Sequence, residues 1–217
     1  MKIEDVNILA LDVAFGHAAA CLLHRGKPSF RETDGDKPHS QSILPMLESM
    51  LEVAGVGWRD LDMLALGAGP GSFTGLRIAS ATFAGINASL QLPMLALPSL
   101  GITAIQSGSD EDIYVIEDAR SGDAYLGHYR HGKAMVEDRC LSWEEVSAMP
   151  PASFIALEKP VSEMAGWKRL QPELGRPQAL AEAVKIYIEN CDPATLPKYV
   201  MPNYIRVSQA ERMAGLG

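Results

Sequence analysis

The 217-residue sequence predicts an α/β protein in which mixed sheets are flanked by helices. Short apolar segments joined by tight turns open the chain, which is typical of a meander of hairpins. Helical and strand patterns then alternate, as crossovers between parallel strands require. The predicted strands are residues 7–11, 18–23, 29–33, 63–66 and 93–97, and the predicted helices are 38–54, 72–90 and 100–107.

Three hairpin strands followed by parallel crossovers are the element order of a ribonuclease H-like, actin-type lobe. The second half of the chain is less regular and predicts a smaller, degenerate version of the first. We therefore expect an N-terminal lobe over residues 1–107 and a C-terminal lobe over 108–217, each with a mixed sheet and helices. The predicted strands of the second lobe are 113–117, 125–129, 134–136 and 154–157, and its predicted helices are 142–148 and 178–189.

The composition is that of an ordinary globular protein, with 47% hydrophobic and 21% charged residues. A net charge of −8 and the lack of a Lys/Arg cluster argue against strong binding of RNA phosphates by this chain alone. Cys21, Cys140 and Cys191 are far apart without a CxxC motif, which fits reduced thiols. No stretch is apolar over a membrane-spanning length, and the N-terminus is acidic where a signal peptide is basic. We expect a cytoplasmic protein.

The most informative segment is the glycine-rich motif GPGSFTGLR at residues 69–77. It follows a predicted buried strand and leads into a long helix, and a strand, a glycine turn and a helix start can together bind an anion. The motif lacks the Gly-Lys-Ser/Thr ending of a P-loop. It therefore either binds phosphate or lets the helix pack closely. The candidate phosphate-binding residues are Asp12, Gly69, Gly71 and Ser72.

Each candidate catalytic residue also has a structural interpretation. Asp12 ends the first strand, where ligands bind in nucleotide-binding sheets, but capping of the following turn is the favoured role. Ser72 is favoured as a helix N-cap over a nucleophile, because no His or Asp stands at a recognisable offset. His39 has Ile43, not a second ligand, one helical turn later. No metal site is predicted.

The helices at 38–54 and 72–90 carry small and apolar residues on more than one side. Either these faces cover the chain's own sheet, or one of them packs against helices of another protein. The pairs Gly75/Ala79 and Ala81/Gly85 point in two directions around the second helix, so both interpretations stay open. Pro45 is tolerated if the first helix begins near Ser42.

Five motifs in this order resemble the TsaB (YeaZ) family. The resemblance covers nearly the whole chain, and the glycine motif with its flanks is its most specific part. The second half matches only in its short motifs, and Val13-Ala14-Phe15 departs from the family's Thr or Ser after the aspartate. The motifs are ILALD at 8–12, HSQSILPM at 39–46, GPGSFTGLR at 69–77, DAR at 118–120 and YIR at 204–206.

The resemblance implies an actin-like ATPase fold and a role in threonylcarbamoyladenosine modification of tRNA. Family members are degenerate relatives of the transferase TsaD, whose metal is held by two histidines one helical turn apart. They bind TsaD and the ATPase TsaE, and they form homodimers when alone. They contact tRNA only as part of the complex. Older classifications place the group among M22 glycoproteases. The resemblance implies neither an intrinsic cofactor nor a membrane as a partner. It leaves open that ATP or ADP binds at the interface with the partner protein.

Our hypothesis from the sequence is a non-catalytic scaffold that binds a TsaD-like transferase through the helices of the N-terminal lobe. An actin-like nucleotide-binding enzyme, with Asp12 and the glycine motif holding ATP and magnesium, is the alternative. A peptidase is the third hypothesis, and it lacks a nucleophile–base or metal pair. The residues expected in or beside the interface are His39, Ile43, Leu47, Met50, Ser72, Thr74, Ala79 and Thr82.

Overall fold

The computed structural model describes residues 2–157, 164–189 and 191–205, and its strands form two mixed sheets. The strands of the first sheet are β1 (Asn7–Asp12), β2 (Ala19–His24), β3 (Lys27–Glu32), β4 (Met63–Gly69) and β5 (Met94–Pro98). Their order is β3-β2-β1-β4-β5. The first three strands are antiparallel neighbours, and β4 and β5 continue the sheet parallel to β1. The predicted hairpins and crossovers of the first lobe are therefore confirmed.

Helices cover both faces of this sheet, which is why β1 and β4 are apolar along almost their whole length. The helices that cover it are α1 (His39–Ala54), α2 (Phe73–Leu90), α3 (Ser99–Gln106) and α5 (Arg176–Ile188), whereas α4 (Trp143–Ser147) packs against the second sheet. One core cluster joins α1 and α2 to one face of the sheet, with Leu47, Leu64 and Phe83 among its members. A second cluster joins α3 and α5 to the opposite face.

The first helix is confirmed at its predicted bounds to within one residue, since it starts at His39. It does not start near Ser42, the condition under which Pro45 is tolerated, so Pro45 lies inside the helix. A proline at this position removes the hydrogen bond to the carbonyl of residue 41. Both Pro45 and Gln41 are exposed, so water can reach the unpaired carbonyl and the cost of the break is reduced.

The second sheet has the order β11-β10-β6-β7-β8, with β9 paired to β7. The predicted strand at 134–136 is wrong in extent, because the strand there covers only residues 133–134 and a second strand, which was not predicted, follows at 139–142. The remaining predicted strands and helices of this half are present with shifted ends. The strands are β6 (Ile113–Arg120), β7 (Asp123–Arg130), β8 (Lys133–Ala134), β9 (Arg139–Ser142), β10 (Ser153–Ile155) and β11 (Lys168–Arg169).

After the second sheet the chain returns to the first. Helix α5 packs across β1 and β2, and the segment 197–205 then runs beside α2. Buried polar side chains of α2 hold this segment, since Ser80 Oγ donates to the Val200 carbonyl and Asn87 Nδ2 donates to that of Lys198. The division near residue 107 therefore separates the strands of the two sheets, while the last helix completes the first lobe.

A third core cluster fills the space between the lobes. Ala14, Phe15 and Leu76 of the first lobe meet Val115 and Tyr125 of the second in this cluster. Within the part of the chain that the structure describes, no helix is long and apolar enough to cross a membrane.

Candidate functional site

The carboxyl ends of β1 and β4 meet beside one another, because the two strands are parallel neighbours with Leu11 opposite Leu66. Asp12 is the last residue of β1 and is fully buried. Its carboxylate fills the place that a side chain at Gly67 would take, since a Cβ there would overlap Asp12 Oδ1. Open α/β sheets bind ligands at this edge. The geometry therefore places Asp12 at the position expected of a nucleotide-site carboxylate.

The carboxylate of Asp12 is paired within the chain. Nε of Arg176, at the start of α5, donates to Oδ2 at 2.7 Å, and the Ser99 hydroxyl donates to Oδ1 at 2.7 Å. The backbone N–H of Ala14 also donates to Oδ2, at 3.3 Å. The turn-capping role predicted for Asp12 is thus present, and it is accompanied by a buried ion pair.

The guanidinium of Arg176 has partners on each of its nitrogens. Nη1 donates to Thr103 Oγ1 at 2.9 Å and to Gln106 Oε1 at 3.1 Å, and Nη2 donates to the Ser99 carbonyl at 3.3 Å. The ring of Phe15 lies 5.5 Å from Cζ. Only 4% of the Arg176 side chain is exposed. Burial of an ion pair costs little only when its remaining donors and acceptors are satisfied, and that condition is met here.

The glycine motif packs against the turn that follows β1. A Cβ at Gly71 would lie 2.6 Å from the carbonyl oxygen of Ala14, and the N–H of Ser72 donates to that same oxygen at 2.8 Å. The N–H of Gly69 donates to Ser99 Oγ. Ser72 Oγ accepts from the N–H of Gly75, so the predicted N-cap is confirmed. The four candidate phosphate-binding residues come together, and the N–H groups of Gly69 and Ser72 already have partners, which favours close packing of the helix.

Half of the residues expected at the interface belong to the chain's own core. Of the eight, Ile43, Leu47, Met50 and Ala79 are at most 1% exposed and pack against the first sheet. The correction has a simple cause, because the face of each helix that is most regular in apolar spacing is the one that covers the sheet. A surface contact through these four side chains is therefore ruled out without rearrangement of the fold.

The other four expected interface residues remain accessible to different degrees. Ser72 and Thr74 are exposed at the start of α2, and His39 is half-buried at the start of α1. Thr82 is half-buried and its hydroxyl donates to the carbonyl of Ile78 in the same helix. Whether these residues meet a partner stays a prediction.

The accessible side of α2 carries other residues, which we call the outer helix face. On α1 the exposed large apolar residues are Leu44 and Val53, at 42% and 73%, but they stand nine residues apart and point to opposite sides of that helix. Beyond Arg77 the exposed residues of α2 are small, and three of them recur at helical spacing. These three residues are Ala81, Gly85 and Ala88.

An exposed aromatic cluster lies at one end of the outer helix face. The guanidinium carbon of Arg77 is 3.9 Å from the centre of the Phe73 ring, and Arg77 Nε donates to the hydroxyl of Tyr204. The rings of Phe73 and Tyr204 are 5.0 Å apart. The YIR motif thus reaches the glycine motif in space, although its last residue, Arg206, lies outside the described residues.

The DAR motif lies at the turn of the β6–β7 hairpin. Arg120 contacts Asp118 through an ion pair of 3.4 Å at the end of the β6–β7 hairpin. The same hairpin approaches the first lobe, because the ring of Tyr125 packs edge-on against Phe15 at 6.5 Å. DAR is therefore both a hairpin end with an Asp–Arg contact and part of the region between the lobes.

His39 and Ile43 stand one helical turn apart on α1, and Ile43 is buried in the core. Within residues 2–157, 164–189 and 191–205, no group of three or more His, Cys, Asp or Glu side chains is arranged to hold a metal ion.

Sequence reasoning missed Arg176, Ser99, Thr103 and Gln106. One signal for Arg176 was available. Residues 179–184 are mostly apolar, which predicts a helix buried on more than one side. A cation at the start of such a helix is unfavourable with respect to the helix dipole, so its presence indicates a nearby anion. The identity of that anion, 164 residues away in the chain, could not be found from spacing.

Asp138 is a strongly perturbed carboxyl group outside this site. The hydroxyl of Tyr129 donates to both of its oxygens, at 2.8 and 2.9 Å. Burial raises the pKa of Asp138 from an ordinary 3.8 to about 6, and the hydrogen bond from Tyr129 lowers it in part. The folded state therefore keeps a proton that the unfolded state releases, so the free energy of unfolding falls as the pH rises from about 4 to about 6.

We expect Asp138→Asn to remove this dependence and to raise the free energy of unfolding by about 2–3 kcal/mol at neutral pH. The amide keeps an acceptor for the Tyr129 hydroxyl and carries no charge. Urea unfolding at pH values below and above the window checks the change, with the exposed Asp36→Asn as control. An equal stability gain on both sides of the window would contradict the assignment.

Comparison with known proteins identifies the family. The family model of TsaD, tRNA N6-adenosine threonylcarbamoyltransferase, matches residues 33–175. Two curated relatives are described as the tRNA threonylcarbamoyladenosine biosynthesis protein TsaB. The relative from Haemophilus influenzae is 28% identical over 66% of this chain, and that from Escherichia coli is 33% identical over 58%. The matched regions span 62% and 55% of those two proteins.

A solved structure described as YeaZ from Pseudomonas aeruginosa supports the same grouping. It is 26% identical to this chain, with a TM-score of 0.70, and the match covers 92% of this chain and 99% of that structure. The two-lobed architecture is thus the actin-like ATPase fold that the order of elements predicts. This chain belongs to the TsaD-like (M22) family, and relatives similar to it carry the names TsaB and YeaZ.

Proposed function

We propose that this chain acts in the biosynthesis of threonylcarbamoyladenosine in tRNA, as a non-catalytic subunit that binds a TsaD-like transferase. Its TsaB-named relatives are described as threonylcarbamoyladenosine biosynthesis proteins, which supports a role in this modification. The observation that carries the non-catalytic assignment is the Asp12–Arg176 pair. A carboxylate whose charge is compensated by a buried guanidinium is a poor ligand for the metal of a nucleotide.

The partner surface that we propose is the outer helix face. Ala81, Gly85 and Ala88 allow the backbone of another helix to approach closely. A second copy of the chain would use the same face in the absence of the transferase. We place a TsaE-like ATPase and the tRNA in the assembled complex, since a chain of net charge −8 is unsuited to hold tRNA alone. Any ATP or ADP would then lie at the interface with the partner.

The test is light scattering on this chain, alone and mixed with the TsaD-like protein of the same organism. We expect a homodimer alone and a stable mixed complex after addition of the transferase. Ala81→Arg places a charge on the outer helix face and should weaken the mixed complex by at least about 100-fold in Kd. The matched control is Ala148→Arg, an exposed alanine after α4 in the second lobe.

The control separates the proposed surface from a general effect of added charge. Equal complex formation by Ala81→Arg and the wild type would move the partner surface away from α2. A wild-type chain that does not associate with the transferase at all would overturn the proposed function.

A further inference from the structure

We infer that Arg176 is a built-in ligand of the site at the end of β1, where its guanidinium fills the position that the phosphates and metal of a nucleotide would need. The actin-like fold implies a nucleotide at this edge of the sheet. The residues present at this site do not fit a nucleotide with its metal, for three reasons. This inference concerns the ligand of the Asp12 site and does not depend on the partner surface proposed above.

The first reason is the saturation of the Asp12 carboxylate. Oδ1 accepts from Ser99 Oγ, and Oδ2 accepts from Arg176 Nε and from the N–H of Ala14. The Cα of Gly67 closes the remaining side, because not even a methyl group fits between it and Oδ1. A magnesium ion or its bound water would have to displace at least one of these donors.

The second reason is that three backbone N–H groups of the glycine motif already have hydrogen-bond partners. A phosphate cradle offers free backbone donors at a glycine turn and a helix start. Here the N–H groups of Gly69, Ser72 and Gly75 donate to Ser99 Oγ, the Ala14 carbonyl and Ser72 Oγ respectively. The close approach of Ala14 to Gly71 leaves no space between the motif and the turn after β1.

The third reason is that the site around Arg176 is built for a guanidinium group. Carboxylate, hydroxyl, amide and carbonyl oxygens accept from its three nitrogens, and the ring of Phe15 lies on one side. A planar cation with several donors matches this set, whereas an ammonium group cannot reach all of them. The buried hydroxyl of Thr103 and the amide of Gln106 have this guanidinium as a partner.

Chemical rescue tests the inference. Arg176→Ala should lower the melting temperature by about 10 °C, because it leaves the Asp12 carboxylate buried without its partner. Methylguanidinium chloride at about 10 mM should restore at least about 3 °C of that loss, since it binds the folded state at the vacated site. The wild type and the exposed-site control Arg31→Ala should gain nothing under the same conditions.

Two controls define the outcome that overturns the inference. Sodium chloride of equal ionic strength should not rescue Arg176→Ala, and methylguanidinium should not rescue the double variant Asp12→Asn/Arg176→Ala. Rescue of both variants to the same extent, or a melting temperature of Arg176→Ala within about 2 °C of the wild type, would show that the site does not recognise a guanidinium group.

A measurement on the wild-type chain keeps the inference testable if Arg176→Ala does not fold. The Nε–H of Arg176 should give a proton resonance protected from exchange with water, identified by its loss in Arg176→Lys. Addition of Mg·ATP should leave this resonance unchanged. Loss of its protection on addition of Mg·ATP would show that the nucleotide displaces the guanidinium, and would overturn the inference that Arg176 excludes it.

Discussion

Gly67→Ala is expected to destabilise the chain by about 4 kcal/mol, which is a large fraction of the stability of a domain of this size. The added methyl group would overlap Asp12 Oδ1, and this carboxylate cannot move without loss of its bonds to Ser99 and Arg176. The cost combines overpacking of a buried strand with disruption of a buried ion pair. Urea unfolding followed by circular dichroism measures it.

Gly85→Ala is the matched control for this change. Gly85 lies on the exposed side of α2, and a Cβ there meets no atom within 4 Å. Alanine is a better helix former than glycine, so this variant should gain up to about 1 kcal/mol. If Gly67→Ala is as stable as the wild type, then the carboxylate of Asp12 is free to move and is not fixed by Arg176.

Ala79→Arg should abolish cooperative folding or lower the free energy of unfolding by at least about 4 kcal/mol. Its position is fully buried between α2 and the first sheet, where a guanidinium group would have neither space nor a counter-charge. Ala81→Arg, two residues along the same helix, should change the stability by less than about 0.5 kcal/mol because Ala81 is exposed. Thermal unfolding of the two variants compares them directly.

This pair separates the two faces of α2. A destabilised Ala79→Arg together with a stable Ala81→Arg that fails to bind the transferase would place the partner on the outer helix face. Comparable stability of the two variants would instead contradict the orientation of α2 on the sheet.

Much of the first lobe could be predicted from the sequence, because its local signals agree with the fold. The alternation of apolar strands with helical spacing gave the element order, and the predicted cap at Ser72 is present. The same helical spacing was misleading for the interface. It identified Ile43, Leu47 and Met50, whose regular pattern marks the face that covers the sheet.

The side chains that bind the Asp12 carboxylate could not be predicted, because they belong to residues far from Asp12 in the chain. Arg176 reaches Asp12 only after the chain has built the second sheet and returned to the first. The short strands of the second lobe were also poorly placed. Segments such as Lys133–Ala134 and Lys168–Arg169 are too short to carry a periodic signal, and their pairing is set by neighbouring strands.

The most direct test of the proposed role is the rate of threonylcarbamoyladenosine formation in tRNA by the TsaD-like transferase, measured as this chain is titrated into the reaction. The transferase, its TsaE-like ATPase and an activated threonylcarbamoyl donor are kept constant. We predict that the rate rises with added chain, reaches a plateau at a fixed ratio of chain to transferase, and is zero for the chain without the transferase. A rate independent of the chain, or modification of tRNA by the chain alone, would contradict a non-catalytic subunit.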